Sequence, residues 1–217
     1  IGYYKKIKFV EHHLSHITSS YPLSKFKDSV VLSVDGFGDF TSVAWGIAKN
    51  YKIKIEKKIL FPNSMGIFYS AVTQHLGFLN YGDEYKVMGM SSYGVNKYKK
   101  ELKDLISFSN DGSINLNLEY FNHHKKNYFK IKNNLVTINQ LFSEKIENIL
   151  GTKRLPQDKI LQKHFDLARS LQELYEEYII NLIKFLKNKY NEETNICLAG
   201  GCMNNSLANG KISNSNI

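Results

Sequence analysis

The stretch VVLSVDGFGDF, residues 30–40, decides the fold expected for this chain. Its apolar run at 30–34 is typical of a buried strand, and Asp35 stands where that run ends. Because a rigid sheet holds the side chain at the end of a strand in a fixed position, Asp35 is a candidate functional carboxylate. In the simpler interpretation, Asp35 only begins a turn with Gly36.

A histidine pair precedes this strand. The segment EHHLSHI, residues 11–17, predicts a helix over about 11–20, on which His12 and His16 are four positions apart. Positions i and i+4 lie on one face of a helix, so these two imidazoles should point the same way and His13 elsewhere. Two imidazoles and a carboxylate suit a divalent metal with open positions. The alternative is that the histidines are ordinary helix residues.

The rest of the chain alternates predicted strands and helices, which indicates an α/β fold. Strands are predicted in an antiparallel meander at 29–35, 41–48 and 51–60, and singly at 6–10 and 194–199. Helices are predicted from Gly66, within 82–94, and at 97–106, 137–150, 158–190 and 204–212. The connections include a hairpin at Asp111-Gly112, an irregular surface excursion at 122–136 and a tight turn at Gly200-Gly201.

The charge of the chain raises the question of a nucleic-acid partner. The net charge is +9, from 29 basic and 20 acidic residues, but only Arg154 and Arg169 are arginines. Arginine is the residue best suited to bidentate recognition of phosphate and guanine, so scattered lysines leave nucleic-acid binding as the weaker alternative.

Membrane and disulfide-rich classes are not indicated. No apolar run reaches the roughly 18 residues that span a bilayer. Cys197 and Cys202 do not make a disulfide framework. We therefore expect a cytoplasmic protein with no membrane partner.

Three further segments suit an anionic ligand. The turn AGGC at 199–202 leads from a strand into a helix, and such turns expose backbone N–H groups that suit phosphate. Asp83 and Glu84 suit ribose hydroxyls, although they equally suit the N-terminus of a helix. Ser64 stands at another helix entrance, as an N-cap or an anion contact. Each segment also has a simpler interpretation as a turn or a cap.

The remaining reactive side chains are interpreted as structural. Cys202 has no partner in the sequence that would serve as its base. His123 and His124 lie among lysines in a predicted loop and are expected to face solvent. His75 and His164 carry no site signal of their own.

Six motifs occur in order along nearly the whole chain. They are EHHLSHI, SVDGFGD, PNSMGIFY (62–69), GDEYKVMGM (82–90), HFDLARSLQ (164–172) and LAGGCMNNSLANGKI (198–212). In this combination the chain resembles the O-carbamoyltransferases of the NodU/CmcH type. The resemblance implies an α/β, actin-like (ASKHA) fold, incomplete at both ends and related to threonylcarbamoyl-transfer proteins. It divides the chain into a first part of that domain at 1–96, an α+β insertion at 97–157 and a second-lobe part at 158–217.

The same resemblance implies an activity. The family uses carbamoyl phosphate and ATP to form a carbamoyl-adenylate, and transfers the carbamoyl group to a hydroxyl of a sugar or natural product. By motif, His12, His16 and Asp35 correspond to ligands of a divalent metal, with iron expected and manganese or zinc as alternatives. The nucleotide-binding residues implied in this way are Gly36, Gly38, Asp83, Glu84, Gly200, Gly201 and Asn205.

The chain also departs from the family pattern. An upstream histidine segment that handles the carbamoyl group, and a later aspartate that binds metal, are not in this sequence. We therefore expect an internal fragment of a longer enzyme that is inactive by itself.

Two other functions stay open. One is a non-catalytic module that binds nucleotide or nucleic acid, and the other is a sugar-kinase-like phosphotransferase on the same fold. The histidine pair argues against the kinase, because Mg²⁺ is typically held by carboxylates and substrate phosphates.

Overall fold

The computed structural model describes residues 7–125, 129–132, 135–193 and 195–215, which form an α/β fold. The helices are α1 (His12–Ser20), α2 (Met65–His75), α3 (Glu84–Met90), α4 (Lys99–Leu105), α5 (Glu147–Leu150), α6 (Gln162–Lys189) and α7 (Ser206–Asn214). The strands are β1 (Asp28–Gly38), β2 (Thr41–Lys49), β3 (Lys52–Leu60), β4 (Ile106–Phe108), β5 (Ile114–Leu116), β6 (Phe129–Lys132), β7 (Leu135–Ile138) and β8 (Ile196–Ala199). Short 3-10 helices include Tyr21–Leu23, Glu144–Ile146 and Gly201–Asn204.

A four-stranded sheet in the order β3-β2-β1-β8 forms the centre of the fold. The strands β1, β2 and β3 make the predicted antiparallel meander. The strand β8 runs parallel to β1, from the pair Val30–Ile196 to the pair Ser33–Ala199. Because the carboxyl ends of parallel strands meet at one edge of a sheet, Asp35 lies beside the glycine turn that follows β8.

The two faces of β1 are covered by different helices, because successive side chains of a strand point to opposite faces. The main core, which includes residues of α2 and α6, takes from β1 the side chains of Val30, Leu32 and Val34. On the other face, Val31 packs with Ile17 of α1 and Tyr21 of the turn after it. By the same alternation Asp35 faces α1.

The longest helix, α6, has 28 residues and one buried stripe, as its apolar spacing predicts. Leu171, Leu174 and Leu186 on this stripe are fully buried. Neither α6 nor any other helix in the described part of the chain has the length and apolar character that crossing a membrane requires.

The helix α6 begins at Gln162 rather than near residue 158, because the preceding segment is held in another conformation. The buried Arg154 donates through Nε to the carbonyl of Leu76 at 2.6 Å and through Nη1 to the carbonyl of Asp158 at 2.6 Å. The carboxylate of Asp158 accepts from the backbone N–H of Leu155 at 2.9 Å. A buried guanidinium requires such acceptors, and they fix this segment to the end of α2.

The helix predicted over 137–150 is wrong in its first half. The strand β7 lies there and pairs antiparallel with β6, and helical structure begins only at Glu144. Leu141 and Phe142 are buried in an extended segment, and Phe142 forms a β-bridge with Phe121. Pairing with neighbouring segments therefore overrides the helical spacing of the apolar residues.

The surface excursion at 122–136 is also more regular than predicted. It contains β6 and the beginning of β7, which form a two-stranded sheet. The parts of this prediction at 126–128 and 133–134 lie outside the described residues.

The strand predicted at 6–10 is not observed in its described part, residues 7–10, which has no regular secondary structure. Phe9 there is 96% exposed, and an apolar alternation without a neighbouring strand has nothing to pair with. Lys6 and Thr194, each assigned to a predicted strand, lie outside the described residues.

The buried His75 at the end of α2 makes stability depend on pH. Burial, followed by nearby basic groups, lowers the pKa of His75 to about 4, and its ring packs edge-on against Phe142. In the unfolded chain the pKa is about 6.5. The native state therefore loses stability as the pH falls from 6.5 towards 4, by up to about 3 kcal/mol from this residue.

Urea unfolding between pH 4.5 and 7.5, on wild type and His75→Gln, measures this contribution. We expect a shallower pH dependence of the free energy of unfolding in the variant, whatever its absolute stability. An equal slope in the two proteins would contradict the assignment.

Candidate metal centre

His12, His16 and Asp35 converge on one point at the edge of the sheet. Oδ2 of Asp35 lies 2.8 Å from Nε2 of His12 and 2.9 Å from Nε2 of His16. The two Nε2 atoms are 3.1 Å apart. The side chains are partly exposed, by 22–37%, so solvent reaches the group.

This triangle of atoms fits a metal ion better than it fits hydrogen bonds. Each of the three atoms is either a hydrogen-bond donor or an acceptor. Whichever protonation states are assigned, at least two of them are both donors or both acceptors, and these two face each other unfavourably. A cation is met favourably by three acceptors at once. Two ligand atoms that are each about 2.1 Å from an ion, with a right angle between them, lie about 3.0 Å apart. The observed separations of 2.8, 2.9 and 3.1 Å match this distance.

The carboxylate of this group is ionised. Burial by itself raises the pKa of Asp35, but hydrogen bonds from His12, from the backbone N–H of Gly36 and from His16 outweigh it. The pKa of Asp35 therefore lies below its ordinary value, and an anionic ligand atom is present at neutral pH.

The N-terminus of α1 sets the position of His12. The side chain of Glu11 caps the helix by accepting from the N–H of Leu14 at 2.7 Å, and the N–H of His12 donates to Oδ2 of Asp39 at 2.9 Å. A Cβ at Gly38 would lie 1.9 Å from the His12 ring. Gly38, assigned from its motif to the nucleotide, thus provides the space that this imidazole occupies.

His13 points away from the pair, as predicted, and fixes α1 to the sheet. Its Nε2–H donates to the carbonyl of Thr41 at 2.9 Å, so its Nδ1 accepts from the hydroxyl of Ser33 at 2.8 Å. Burial lowers the pKa of His13, which keeps the ring neutral. The contacts of His13 therefore orient His12 and His16 towards Asp35.

Two glycines, Gly36 and Gly201, lie at the other oxygen of Asp35, and Gly200 packs against the preceding residue of β1. The N–H of Gly36 donates to Oδ1 at 2.8 Å, and a Cβ on Gly201 would lie 2.9 Å from the same oxygen. Gly200 has φ +94°, and a Cβ there would lie 2.2 Å from the carbonyl of Val34. The turn after β8 can approach β1 this closely only without side chains.

Ser64 ties α2 to this turn. Its hydroxyl donates to the carbonyl of Gly36 at 2.6 Å and accepts from the N–H of Ile67 at 3.1 Å. It is therefore the N-cap of α2 and not a free anion contact. A Cβ on Gly66 would lie 2.8 Å from the Cα of Gly36, so the helix begins directly against the strand end.

Glu84 and Asp83, adjacent in sequence, have different surroundings. Glu84 accepts a hydrogen bond from the hydroxyl of Ser70. Asp83 folds back on its own turn, where it pairs with Lys86 at 2.7 Å and accepts from the N–H of Asn80 at 3.1 Å. The contacts of Asp83 are those of a local turn, whereas Glu84 contacts Ser70 of α2.

Cys202 is a neutral thiol beside the start of α2, where a Cβ on Gly66 would lie 2.9 Å from its sulfur. Burial of the sulfur, and then the negative charges of Asp35 and Glu84, raise the pKa of Cys202 far above its ordinary range. A thiol without a thiolate is a poor nucleophile, which agrees with the structural interpretation.

Asn205 is engaged within the protein. Its Oδ1 caps α7 by accepting from the N–H of Ala208 at 3.0 Å, and its amide pairs with that of Gln172 in two hydrogen bonds of 2.9 Å. Gln172 also accepts from the hydroxyl of Tyr69 at 2.9 Å. Asn205 therefore fixes the start of α7 against α6.

Comparison with known proteins decides the family. The family described as the carbamoyltransferase N-terminus matches residues 2–217. The chain belongs to this family. It is 32% identical over 206 residues to an uncharacterized protein of Synechocystis sp., an alignment that covers 94% of this chain and 31% of that protein.

Two nodulation proteins are also similar to this carbamoyltransferase-family chain. Nodulation protein NolNO of Sinorhizobium fredii is 30% identical, with 98% of this chain and 28% of that protein covered. Nodulation protein NolO of Bradyrhizobium diazoefficiens is 28% identical, with 94% and 33% covered. The chain spans about a third of the length of these relatives.

The structure corrects the expectation that His123 faces solvent, because its side chain is 2% exposed. Its Nε2–H donates to the carbonyl of Pro62 at 2.7 Å, and its ring contacts Phe37 and Phe61. The half-buried His124 packs against it. The lysines next to these histidines in the sequence gave no sign that His123 is buried. The signal that the sequence did contain was Phe37 in the DGFGD motif, an aromatic residue that contacts His123 in the structure.

The anchoring role of His13 predicts a loss of stability. Substitution His13→Ala leaves the Ser33 hydroxyl and the Thr41 carbonyl without their partner and opens a cavity under α1. We expect the free energy of unfolding to fall by about 2–4 kcal/mol, measured by urea denaturation of the metal-free protein. The matched control is His16→Ala on the same helix, which should lower it by less than about 1 kcal/mol. Equal losses in the two variants would contradict the anchoring role.

Proposed function

We propose that the protein carrying this chain is an O-carbamoyltransferase that uses carbamoyl phosphate and ATP to modify a hydroxyl of a sugar or natural product. The observation that carries the proposal is the convergence of His12, His16 and Asp35 beside the glycine turn after β8. Membership of the carbamoyltransferase family supports the reaction class.

The proposed reaction has two stages. Water first hydrolyses carbamoyl phosphate to carbamate and inorganic phosphate. An oxygen of the carbamate then bonds to the α-phosphorus of ATP while the bond from that phosphorus to the bridging oxygen breaks, which gives carbamoyl-adenylate and pyrophosphate. The acceptor oxygen then bonds to the carbamoyl carbon while the bond from that carbon to the adenylate oxygen breaks. AMP leaves and the hydroxyl proton is released. The donor, ATP and the intermediate are all anionic, so a site for this reaction needs positive charge and aligned N–H groups.

A divalent metal ion is proposed to supply that charge. His12 and His16 would hold it through Nε2, and Asp35 through Oδ2. When bound, the ion gathers and stabilises anionic phosphate or carbamoyl oxygens. We propose iron, with manganese or zinc as alternatives, because imidazole and carboxylate ligands accept all three.

The nucleotide is proposed to bind on the Oδ1 side of Asp35. A Cβ on Gly36 would meet nothing within 4 Å, and Gly200 and Gly201 bring the turn after β8 against β1 without side chains. A turn that leads into a helix suits phosphate. Glu84 is proposed as a nearby contact for the ribose hydroxyls. Because the side chains of Asp83 and Asn205 are engaged within the protein, we propose that they hold α3 and α7 in place.

We also propose the actin-like (ASKHA) fold for this chain. An antiparallel meander followed by a parallel strand, with helices on both faces, supports it. The proposed division at 1–96, 97–157 and 158–217 is supported by the two small sheets, β4-β5 and β6-β7, which lie within the middle region and apart from the central sheet.

The metal proposal predicts which histidines matter. We expect about one equivalent of metal in the full-length protein after reconstitution with iron, manganese or zinc under anaerobic conditions, and at least tenfold less in the double variant His12→Ala plus His16→Ala. Elemental analysis after desalting measures this. The control His124→Ala changes a histidine outside the triangle and should keep its metal. Equal metal in the double variant and wild type would rule out the site.

The reaction proposal predicts a product and its dependence. Full-length protein, ¹⁴C-labelled carbamoyl phosphate, ATP and a panel of methyl glycosides should give a labelled glycoside, with AMP and pyrophosphate in equal amounts. Omitting ATP should abolish the product, and Asp35→Asn should lower the rate at least a hundredfold, because the anionic ligand atom is lost. Formation of a phosphorylated sugar and ADP would favour a kinase instead.

A further inference from the structure

Four rings form a cluster next to the metal triangle: Phe37, Phe40, Phe61 and His123, called here the aromatic cluster. The ring centroids of Phe37 and Phe61 are 5.2 Å apart, and those of Phe40 and Phe61 are 6.3 Å apart in an edge-to-face arrangement. His123 lies beneath, 6.1 Å from Phe37 and 5.8 Å from Phe61. These are the separations at which aromatic rings attract one another.

The β1–β2 turn joins the aromatic cluster to the triangle. Gly38 lies against the His12 ring, and the next residue, Asp39, accepts from the His12 N–H at 2.9 Å. Phe40 follows directly, and its carbonyl accepts from the N–H of Phe61 at 2.9 Å. The cluster and the candidate metal centre are therefore neighbouring parts of one surface.

Two rings of the cluster are exposed on the surface of this chain. Phe40 is 78% exposed and Phe61 is 39% exposed, although they contact each other. Isolated apolar side chains on a surface are ordinary, but contiguous ones beside convergent polar side chains are typical of a ligand site.

The aromatic cluster is uncharged. The Nε2–H of His123 is committed to the carbonyl of Pro62, and burial lowers the pKa of this ring, so it stays neutral. A neutral, apolar wall does not attract phosphate, and it suits a ligand that has an apolar face.

The two sides of Asp35 differ in the groups that line them. The glycine turn after β8 approaches Oδ1, whereas Oδ2 faces His12 and His16. The ring of His12 in turn lies against Gly38 and the β1–β2 turn. The triangle therefore lies between a backbone-lined side suited to phosphates and an aromatic side.

We propose that Phe40 and Phe61 bind the apolar C–H face of a saccharide acceptor and so place one of its hydroxyls at the triangle. This inference rests on the proposed carbamoyltransferase function and adds the acceptor subsite to it. A sugar ring presents C–H groups on its faces and hydroxyls at its edge, so packing on aromatic rings leaves the hydroxyls free to react.

The test compares variants of the full-length protein. Phe40→Ala, Phe61→Ala and the double variant remove the exposed rings, and Phe40→Tyr keeps one. Tyr51→Ala is the matched control: Tyr51 is 69% exposed, has φ +62° where Phe40 has +59°, and lies in the turn at the opposite end of β2. The thermal midpoints of all variants are compared first, so that only folded proteins enter the comparison.

The kinetic readout is the KM for the methyl glycoside that wild type carbamoylates best. We expect this KM to rise at least fivefold in each alanine variant and further in the double variant, with the KM for ATP and acceptor-free pyrophosphate release within twofold of wild type. Phe40→Tyr and Tyr51→Ala should behave as wild type. An unchanged acceptor KM overturns the inference, and a raised KM for ATP assigns the rings to the nucleotide base instead.

A direct binding measurement separates this inference from the reaction. Saturation-transfer NMR with methyl β-glucoside and each other glycoside of the panel should show transfer from aromatic protons to ring C–H protons, and the double variant should lose it. If wild type shows this transfer but makes no carbamoylated product, the proposed reaction fails and the saccharide subsite stands. If wild type makes product and shows no such transfer to any glycoside, the subsite is wrong and the reaction stands.

Discussion

The hydrogen bonds of His13 to the Ser33 hydroxyl and the Thr41 carbonyl are the constraint on which the site depends. A helix packed on a sheet by apolar contacts alone can shift or rotate, because such contacts have no direction. A buried imidazole with two directional partners restricts the rotation of α1 about its axis. His12 precedes His13 by one position and His16 follows it by three. The orientation that His13 gives to α1 therefore brings both histidines over the end of β1.

Close backbone approach is the second requirement of the site. At Gly38, Gly200 and Gly201 a Cβ would fall within 3 Å of the His12 ring, the Val34 carbonyl or the Asp35 carboxylate. Main chain, which has no rotamers to order, thus lines the Oδ1 side of the carboxylate. A site lined by backbone in this way loses less binding free energy to the ordering of side chains.

The sequence was sufficient where the local pattern and the tertiary structure agree. The spacing of His12 and His16 and the apolar run that ends at Asp35 predict a shared face and a strand end, and the structure has both. It was insufficient where distant partners decide. The first half of the segment 137–150 has helical spacing but forms the end of β7 and a β-bridge to Phe121. His123 has polar neighbours in sequence but aromatic ones in space. The engagement of Asp83 and Asn205 within the protein depends likewise on partners that no motif records.

The parallel pairing of β1 with β8 has a consequence for how the site is assembled. It joins segments as far apart in sequence as Ser29 and Cys197, 168 residues, whereas β1, β2 and β3 are joined by tight turns. Local pairings close small loops and form early, while pairings across a long loop carry a larger entropic barrier. The histidine side of Asp35 belongs to the early part, and the glycine side is added only when β8 docks. During synthesis the edge of β1 therefore has no partner until β8 has been made and pairs with it. Until then we expect this edge to be able to pair with incorrect strands.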